Sequence, residues 1–255
     1  MGSGMTTKLS QSVEMQRRYY EDTAARYNSM HAHEGATDPN ILPFVVAFLR
    51  LLDIRSVLDV GSGTGLGLRQ IKESLPGMFV CGTEPVAALA EQAVQNGHAL
   101  PLPIVRAAGE TLPFPDASFD AVCEFAMLHH VPNPNAVVKE MLRVAKKAVF
   151  ITDSNRFGQG PLLLRVVKLF LYKMGLWGAF DFLRTHGKRY QVSEGDGIFY
   201  SYSVYDSYEL VARWADRVFL FPSTPCRSST WFHPLLSAPS IILIAFRDVP
   251  RLKGS

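Results

Sequence analysis

The chain has 255 residues, 47% of them hydrophobic and 19% charged, with a net charge of +3. That length accommodates one large α/β domain, or one domain with an inserted cap, and can bury a full core. The composition is that of a soluble globular protein, and the charge is too small to imply a nucleic-acid partner.

Residues 1–4, ahead of Met5, read as an expression remnant, and no secretory n-region and h-region pattern follows. Cys81, Cys123 and Cys226 are widely spaced and odd in number, which fits a reducing compartment, the cytoplasm, and no structural metal. Val13, Arg17, Tyr20, Ala24 and Tyr27 share one side of a helix expected over residues 13–30. Pro39 opens a second helix running to about Leu52. Strands are expected at 56–60, 78–83, 103–107, 119–125 and 148–153, with helices at 65–75, 86–96 and 135–144 between them. Gly97 takes the C′ position of one of those helices. Strands alternating with helices imply a parallel sheet covered on both faces.

After Asp153 the alternation stops. Leu162, Leu163, Val166, Val167, Phe170 and Met174 recur at helical spacing, followed by an aromatic and polar stretch to Tyr202. Arg165, Lys168 and Lys173 lie opposite them. Such a helix can rest on an anionic membrane, or pack its apolar side over the sheet edge with the basic side in water. The second arrangement is the expected one, which makes residues 157–202 a cap over the acceptor site. A helix at 205–215, an apolar run at 218–221 and a strand at 240–246 close the chain, the last two as a hairpin on the sheet edge.

Residues 57–65 read Val-Leu-Asp-Val-Gly-Ser-Gly-Thr-Gly, and Glu84 ends the next apolar run. Three glycines let the backbone turn tightly and approach a ligand, and a carboxylate on the neighbouring strand tip can accept both hydroxyls of a ribose. This is a cradle for an adenosyl group. A nicotinamide oxidoreductase uses a similar fingerprint, but its third glycine would fall at Leu66.

Three further segments follow in order: Gly82-Thr83-Glu84-Pro85; residues 109–116 (Gly-Glu-Thr-Leu-Pro-Phe-Pro-Asp) with Ser118-Phe119-Asp120; and Leu128-His129-His130-Val131. With residues 57–65, they make the chain resemble the class I S-adenosylmethionine-dependent methyltransferases, in the branch that includes the quinone-biosynthesis C-methyltransferases. The match runs from about Tyr19 to Asp153, with an echo in the last two strands. The resemblance implies a Rossmann-like seven-stranded, mostly parallel sheet with helices on both faces and an antiparallel last strand. It makes residues 5–255 one domain, with residues 13–54 folding over the cofactor.

It implies S-adenosyl-L-methionine as cofactor. Asp59 would lie near the methionine amino group, and Gly61, Ser62, Gly63 and Gly65 along methionine and ribose. Glu84 would hold the ribose diol, and Pro85 and Val86 would lie against adenine, flanked by Gly109 and Glu110. Glu124, Phe125 and Ala126 would meet the methionine end, and Tyr20 and Tyr27 would cover the cofactor. The family usually carries an acid two residues before the Glu110 position, where this chain has Ala108.

Methyl transfer is a displacement at a sulfonium carbon, so positioning dominates and a base is needed only for a hydroxyl or poorly acidic acceptor. His130 and Asp153 are the catalytic candidates, with His129 read as packed. Asn155, Tyr200, Tyr202 and Trp231 are substrate-pocket candidates, Asn155 being equally a loop cap. His186 and His233 read as surface or core residues, and no metal spacing is present. The expected activity is O-methylation of a small natural product, phenolic or glycan-related compound. Carbon methylation of a quinone- or lipid-like acceptor is the runner-up, followed by an inactive cofactor-binding module. A monomer or homodimer is expected.

Overall fold

A computed structural model describes residues 2–31, 41–96, 102–223 and 237–247. The parallel half of its sheet is built from β1 (Ser56–Val60), β2 (Phe79–Thr83), β3 (Ile104–Val105), β4 (Phe119–Phe125) and β5 (Ala145–Ser154). Between them run α4 (Leu66–Ser74), α5 (Ala87–Asn96) and α6 (Pro134–Val144), preceded by α1 (Gly2–Thr23), α2 (Tyr27–His31) and α3 (Ile41–Leu51). After β5 come α7 (Leu162–Lys173), α8 (Trp177–Arg184), the hairpin β6 (Tyr190–Ser193) and β7 (Gly197–Tyr200), then α9 (Tyr208–Trp214), β8 (Arg217–Pro222) and β9 (Ser240–Phe246).

The seven-stranded sheet has the order β3-β2-β1-β4-β5-β9-β8. β9 runs antiparallel to both β5 and β8, so it is the reversed strand and lies inside the sheet, with β8 on the edge. Alternation along the strands divides the core between two faces. Leu58, Val60, Val122 and Ile151 pack with Val137, Val138 and Met141 of α6. Val57, Cys123 and Phe150 pack with Val45 and Leu49 of α3 and Leu68 and Ile71 of α4. The chain reverses its strand order at β1, and open α/β sheets bind ligands beyond the strand ends at such a point.

Several expectations need correction. The first helix ends at Thr23 and is followed by a 3-10 turn (Ala24–Arg26) and α2, so the stretch to residue 30 is not one helix. The third strand is only Ile104–Val105. The aromatic stretch before Tyr202 contains a β-hairpin, in which Tyr190 pairs with Tyr200 and Ser193 with Gly197.

The largest correction concerns α7, which buries none of its residues. Leu163, Val166, Phe170 and Met174 face outward at 77%, 54%, 61% and 59% exposure. Its polar side is the one turned inward. Lys168 Nζ donates to the carbonyls of Arg156 and Gln159 at 3.0 and 3.1 Å, and Arg165 Nε donates to that of Gly160 at 2.6 Å. The cap therefore does not pack its apolar side over the sheet edge. Pro39, Gly97, Cys226, Trp231 and His233 lie outside the described residues.

Candidate active site

A cleft opens beyond the C-terminal ends of β1, β2 and β4. Its floor is the turn after β1. Gly61 takes φ +73°, and a Cβ there would come 2.5 Å from Met127 Cγ, so only glycine leaves the floor open. Glu84, just past β2, is 5% exposed, and its carboxylate accepts from the backbone N–H of Gly63 at 3.0 Å and of Val86 at 2.9 Å. Burial pushes its carboxyl up to about 7, against the pull of those two bonds.

Pro85, Val86 and Leu89 form one wall, and Phe125, Ala126 and Met127 another. Ala126 sits at φ +58°, a strained turn that ends β4 beside the cleft. α1 lies across the opening with Val13, Gln16, Arg17 and Tyr20. Thr64 Oγ1, 2.6 Å from Asn28 Oδ1, ties α2 to the glycine turn.

The two histidines after β4 separate this cleft from a second cavity. His130 lines the cleft; His129 lines the other cavity together with Asp196 from the β6–β7 turn. His129 Nδ1 lies 2.8 Å from Asp153 Oδ1, and its Nε2 lies 3.5 Å from Asp196. Burial opposes its charge, but the two carboxylates overcome that and hold its pKa up at about 10, so it is an imidazolium at neutral pH. His130 Nδ1 is 2.6 Å from the carbonyl of Ile198, which requires the proton on Nδ1. Burial, then the neighbouring His129, pull its pKa below the ordinary value. The neutral ring keeps its lone pair on Nε2, 3.3 Å from Asp196 Oδ1. Nitrogen and oxygen atoms of His129, His130 and Asp196 lie within 4.8 Å of one another, and the His129 imidazolium already supplies positive charge among them.

Residues 58–151 match the family model of the methyltransferase domain. An uncharacterized methyltransferase of Mycobacterium sp. strain KMS is 32% identical over 179 residues, covering 69% of this chain and 68% of the relative. The chain belongs to the class I S-adenosylmethionine-dependent methyltransferases. Solved structures share the fold. Magnesium protoporphyrin IX methyltransferase from Synechocystis PCC 6803 has a TM-score of 0.57 at 16% identity, over 91% of this chain and 97% of that one. An S-adenosylmethionine-dependent methyltransferase from Methanosarcina mazei also has a TM-score of 0.57, at 18% identity over 80% and 97%.

The methyltransferase's cofactor is S-adenosylmethionine, and the cleft fits it. Gly61 leaves a cradle that a Cβ would fill, and Glu84 stands at the strand tip. Asp59 Oδ1 and Glu124 Oε1 are buried beneath the cleft without a hydrogen-bond partner. Of the residues anticipated for this role, Tyr20, Tyr27, Gly61, Gly63, Glu84, Pro85, Val86, Gly109, Glu110 and Phe125 line the cleft. Asp59, Ser62 and Gly65 do not. Asp59 is 2% exposed, and Ser62 is turned toward the carbonyl of Thr83. Gly65 precedes α4 at φ +74°, where a Cβ would come 3.1 Å from that of Ala93, so its reason is packing. Val13, Gln16, Arg17, Leu89, Met127, Val131 and Pro132 were not anticipated as lining residues. The helical side of Val13, Arg17 and Tyr20 was the available signal.

The other site expectations fare unevenly. Asp153 is 1% exposed and lines neither cavity, so it stands behind His129 and cannot touch an acceptor. Asn155 is a loop cap: its Nδ2 donates to the carbonyl of Ala238 at 2.9 Å, and its Oδ1 accepts from the N–H of Phe157 at 3.2 Å. Tyr200 and Tyr202 line the second cavity, with Trp177, Phe180 and Phe199. His186 lines neither cavity. The 112–116 motif is held from α6: Glu140 accepts from the N–H of Leu112 at 2.9 Å, and Arg143 donates to the carbonyls of Leu112 and Phe114 and to Asp116.

Proposed function

We propose that this enzyme transfers a methyl group to a hydroxyl of a small molecule held in the cavity bounded by His129, Asp196 and the aromatic side chains of Trp177, Phe180, Tyr200 and Tyr202. The observation that carries the reading is His130, which lines the donor cleft with its proton fixed on Nδ1 by the Ile198 carbonyl. Its Nε2 therefore carries the lone pair, 3.3 Å from Oδ1 of Asp196, a residue of the second cavity.

Glu84 would hold the ribose, with Pro85, Val86 and Gly109 around the adenine and Tyr20 and Tyr27 above. When bound, S-adenosylmethionine supplies an electrophilic methyl on a sulfonium. An acceptor hydroxyl that takes the place of Asp196 against His130 Nε2 passes its proton to that nitrogen as the oxygen is methylated. The His129 imidazolium, neutralised on one side by Asp153, stabilises the charge developing on the oxygen. The cavity sets the aromatic wall of Trp177, Phe180, Tyr200 and Tyr202 against the cations Arg156, Lys168 and Arg184, which suits a phenolic acceptor that also carries polar or anionic groups.

The test is a panel of phenols and hydroxylated amphiphiles, scored by release of S-adenosylhomocysteine and by the methyl resonance of the product. His130→Ala is expected to lower kcat by about 10²–10⁴-fold with cofactor affinity retained. An unchanged kcat would remove His130 as the base, and a carbon-bound methyl in the product would replace the hydroxyl by a carbon acceptor.

A further inference from the structure

α7 and α8 present an apolar surface whose helix is inside out for a globular protein. Outward from α7 stand Leu163, Val166, Phe170 and Met174; from α8, Phe182 and Leu183 stand out at 46% and 73% exposure. A surface helix in water normally shows the reverse. Here Arg165, Lys168, Leu169 and Tyr172 are the half-buried side. Arg165 and Lys168 are spent on backbone carbonyls, while the apolar residues meet the surroundings. Contiguous apolar patches of this kind mark interaction sites.

Charge selects the occupant. Between residues 162 and 192 the chain carries Arg165, Lys168, Lys173, Arg184, Lys188 and Arg189 against the single acid Asp181. Asp181 is already paired with Arg184. Lys173, Lys188 and Arg189 are exposed and have no carboxylate partner among the described residues. Among the described residues, no helix is long and apolar enough to cross a membrane, so the surface can only lie on one.

We propose that α7 and α8 form a monotopic docking surface for an anionic lipid bilayer, with the leucines, valines and Phe170 in the acyl boundary and Lys173, Lys188 and Arg189 among the headgroups. The same two helices supply Leu164, Lys168, Trp177 and Phe180 to the second cavity, so docking places that cavity beside the membrane. The proposal does not depend on the methyl-transfer chemistry, because binding is read without turnover.

Co-sedimentation of the full chain with phosphatidylcholine vesicles, with and without phosphatidylglycerol, tests it. Binding is expected only to the anionic vesicles. Replacing Lys188 and Arg189 by Glu should weaken it about fivefold or more per residue, and raised salt should act the same way. The double variant Leu163→Glu/Phe170→Glu should lose it about tenfold or more, with the melting temperature and the affinity for S-adenosylhomocysteine unchanged. Absence of wild-type binding to anionic vesicles overturns the proposal. So does a melting temperature several degrees lower in the double variant, which would mean that another part of the chain covers the face. A concentration-dependent dimer that the same double variant disperses in sedimentation velocity would assign the face to a second copy instead.

Discussion

His129 Nδ1 is held 2.8 Å from Asp153 Oδ1, an ion pair with the carboxylate wholly buried at the end of β5. It joins the turn after β4 to the neighbouring strand and sets the orientation of the ring facing the second cavity. The pair fixes one histidine as a cation, while burial, then that neighbouring cation, depress the next, which is how two adjacent residues of the same type acquire opposite charge states.

Stability should follow that pair with pH. The folded pKa of His129, about 10, lies above its ordinary 6.5, so its contribution is complete below pH 6.5 and is lost as pH rises through 10. Asp153 is shifted the other way: burial opposes its charge, but His129 prevails and holds the carboxyl low, so its contribution is lost only in acid. Urea midpoints should fall between pH 7 and 10 in the wild type. His129→Gln should cost about 3–5 kcal/mol near pH 6 and flatten that fall.

Glu84 predicts a different dependence. Its acceptor form is the carboxylate, and burial raises its pKa to about 7 in the ligand-free protein. Affinity for S-adenosylhomocysteine, measured by calorimetry, should be constant above pH 7 and drop by about tenfold per unit below it. Glu84→Ala should weaken binding by about 2–3 kcal/mol and abolish the pH dependence. An affinity unchanged by the substitution would remove Glu84 from the ribose.

Two glycines of one turn should respond differently to alanine. At Gly61 the new Cβ meets Met127 in the cleft, so binding should weaken by about tenfold or more. At Gly65 it meets Ala93 at φ +74°, so thermal unfolding should show a loss of about 1–2 kcal/mol with binding retained.

Arg143→Met tests the clip on the 112–116 motif. It removes donors to two carbonyls and to Asp116 and leaves Glu140 without its cation. A loss of about 1–3 kcal/mol is expected in denaturant titrations, with amide exchange accelerated at Leu112.

The donor half of the site was readable because its parts are local. Residues 57–65 and Glu84 lie at the ends of adjacent strands, and the glycines declare their backbone geometry by type. Glu84, Pro85 and Val86 line the cleft for that reason, whereas Asp59 and Gly65 carry the same motif but lie in the layer beneath. The motif could not separate the two kinds, since contact depends on which way each Cα–Cβ bond points.

By itself, the sequence determined the alternating α/β core, the position of the nucleotide turn and the two-sided character of residues 162–174. Those follow from local spacing, which survives without knowledge of the rest of the chain. Tertiary structure alone decided three things: that the β6–β7 turn delivers Asp196 to the histidine pair, that Asp153 pairs with His129, and that α7 turns Arg165 and Lys168 inward. Each is a contact between distant segments, and an amphipathic period is the same whichever face is buried.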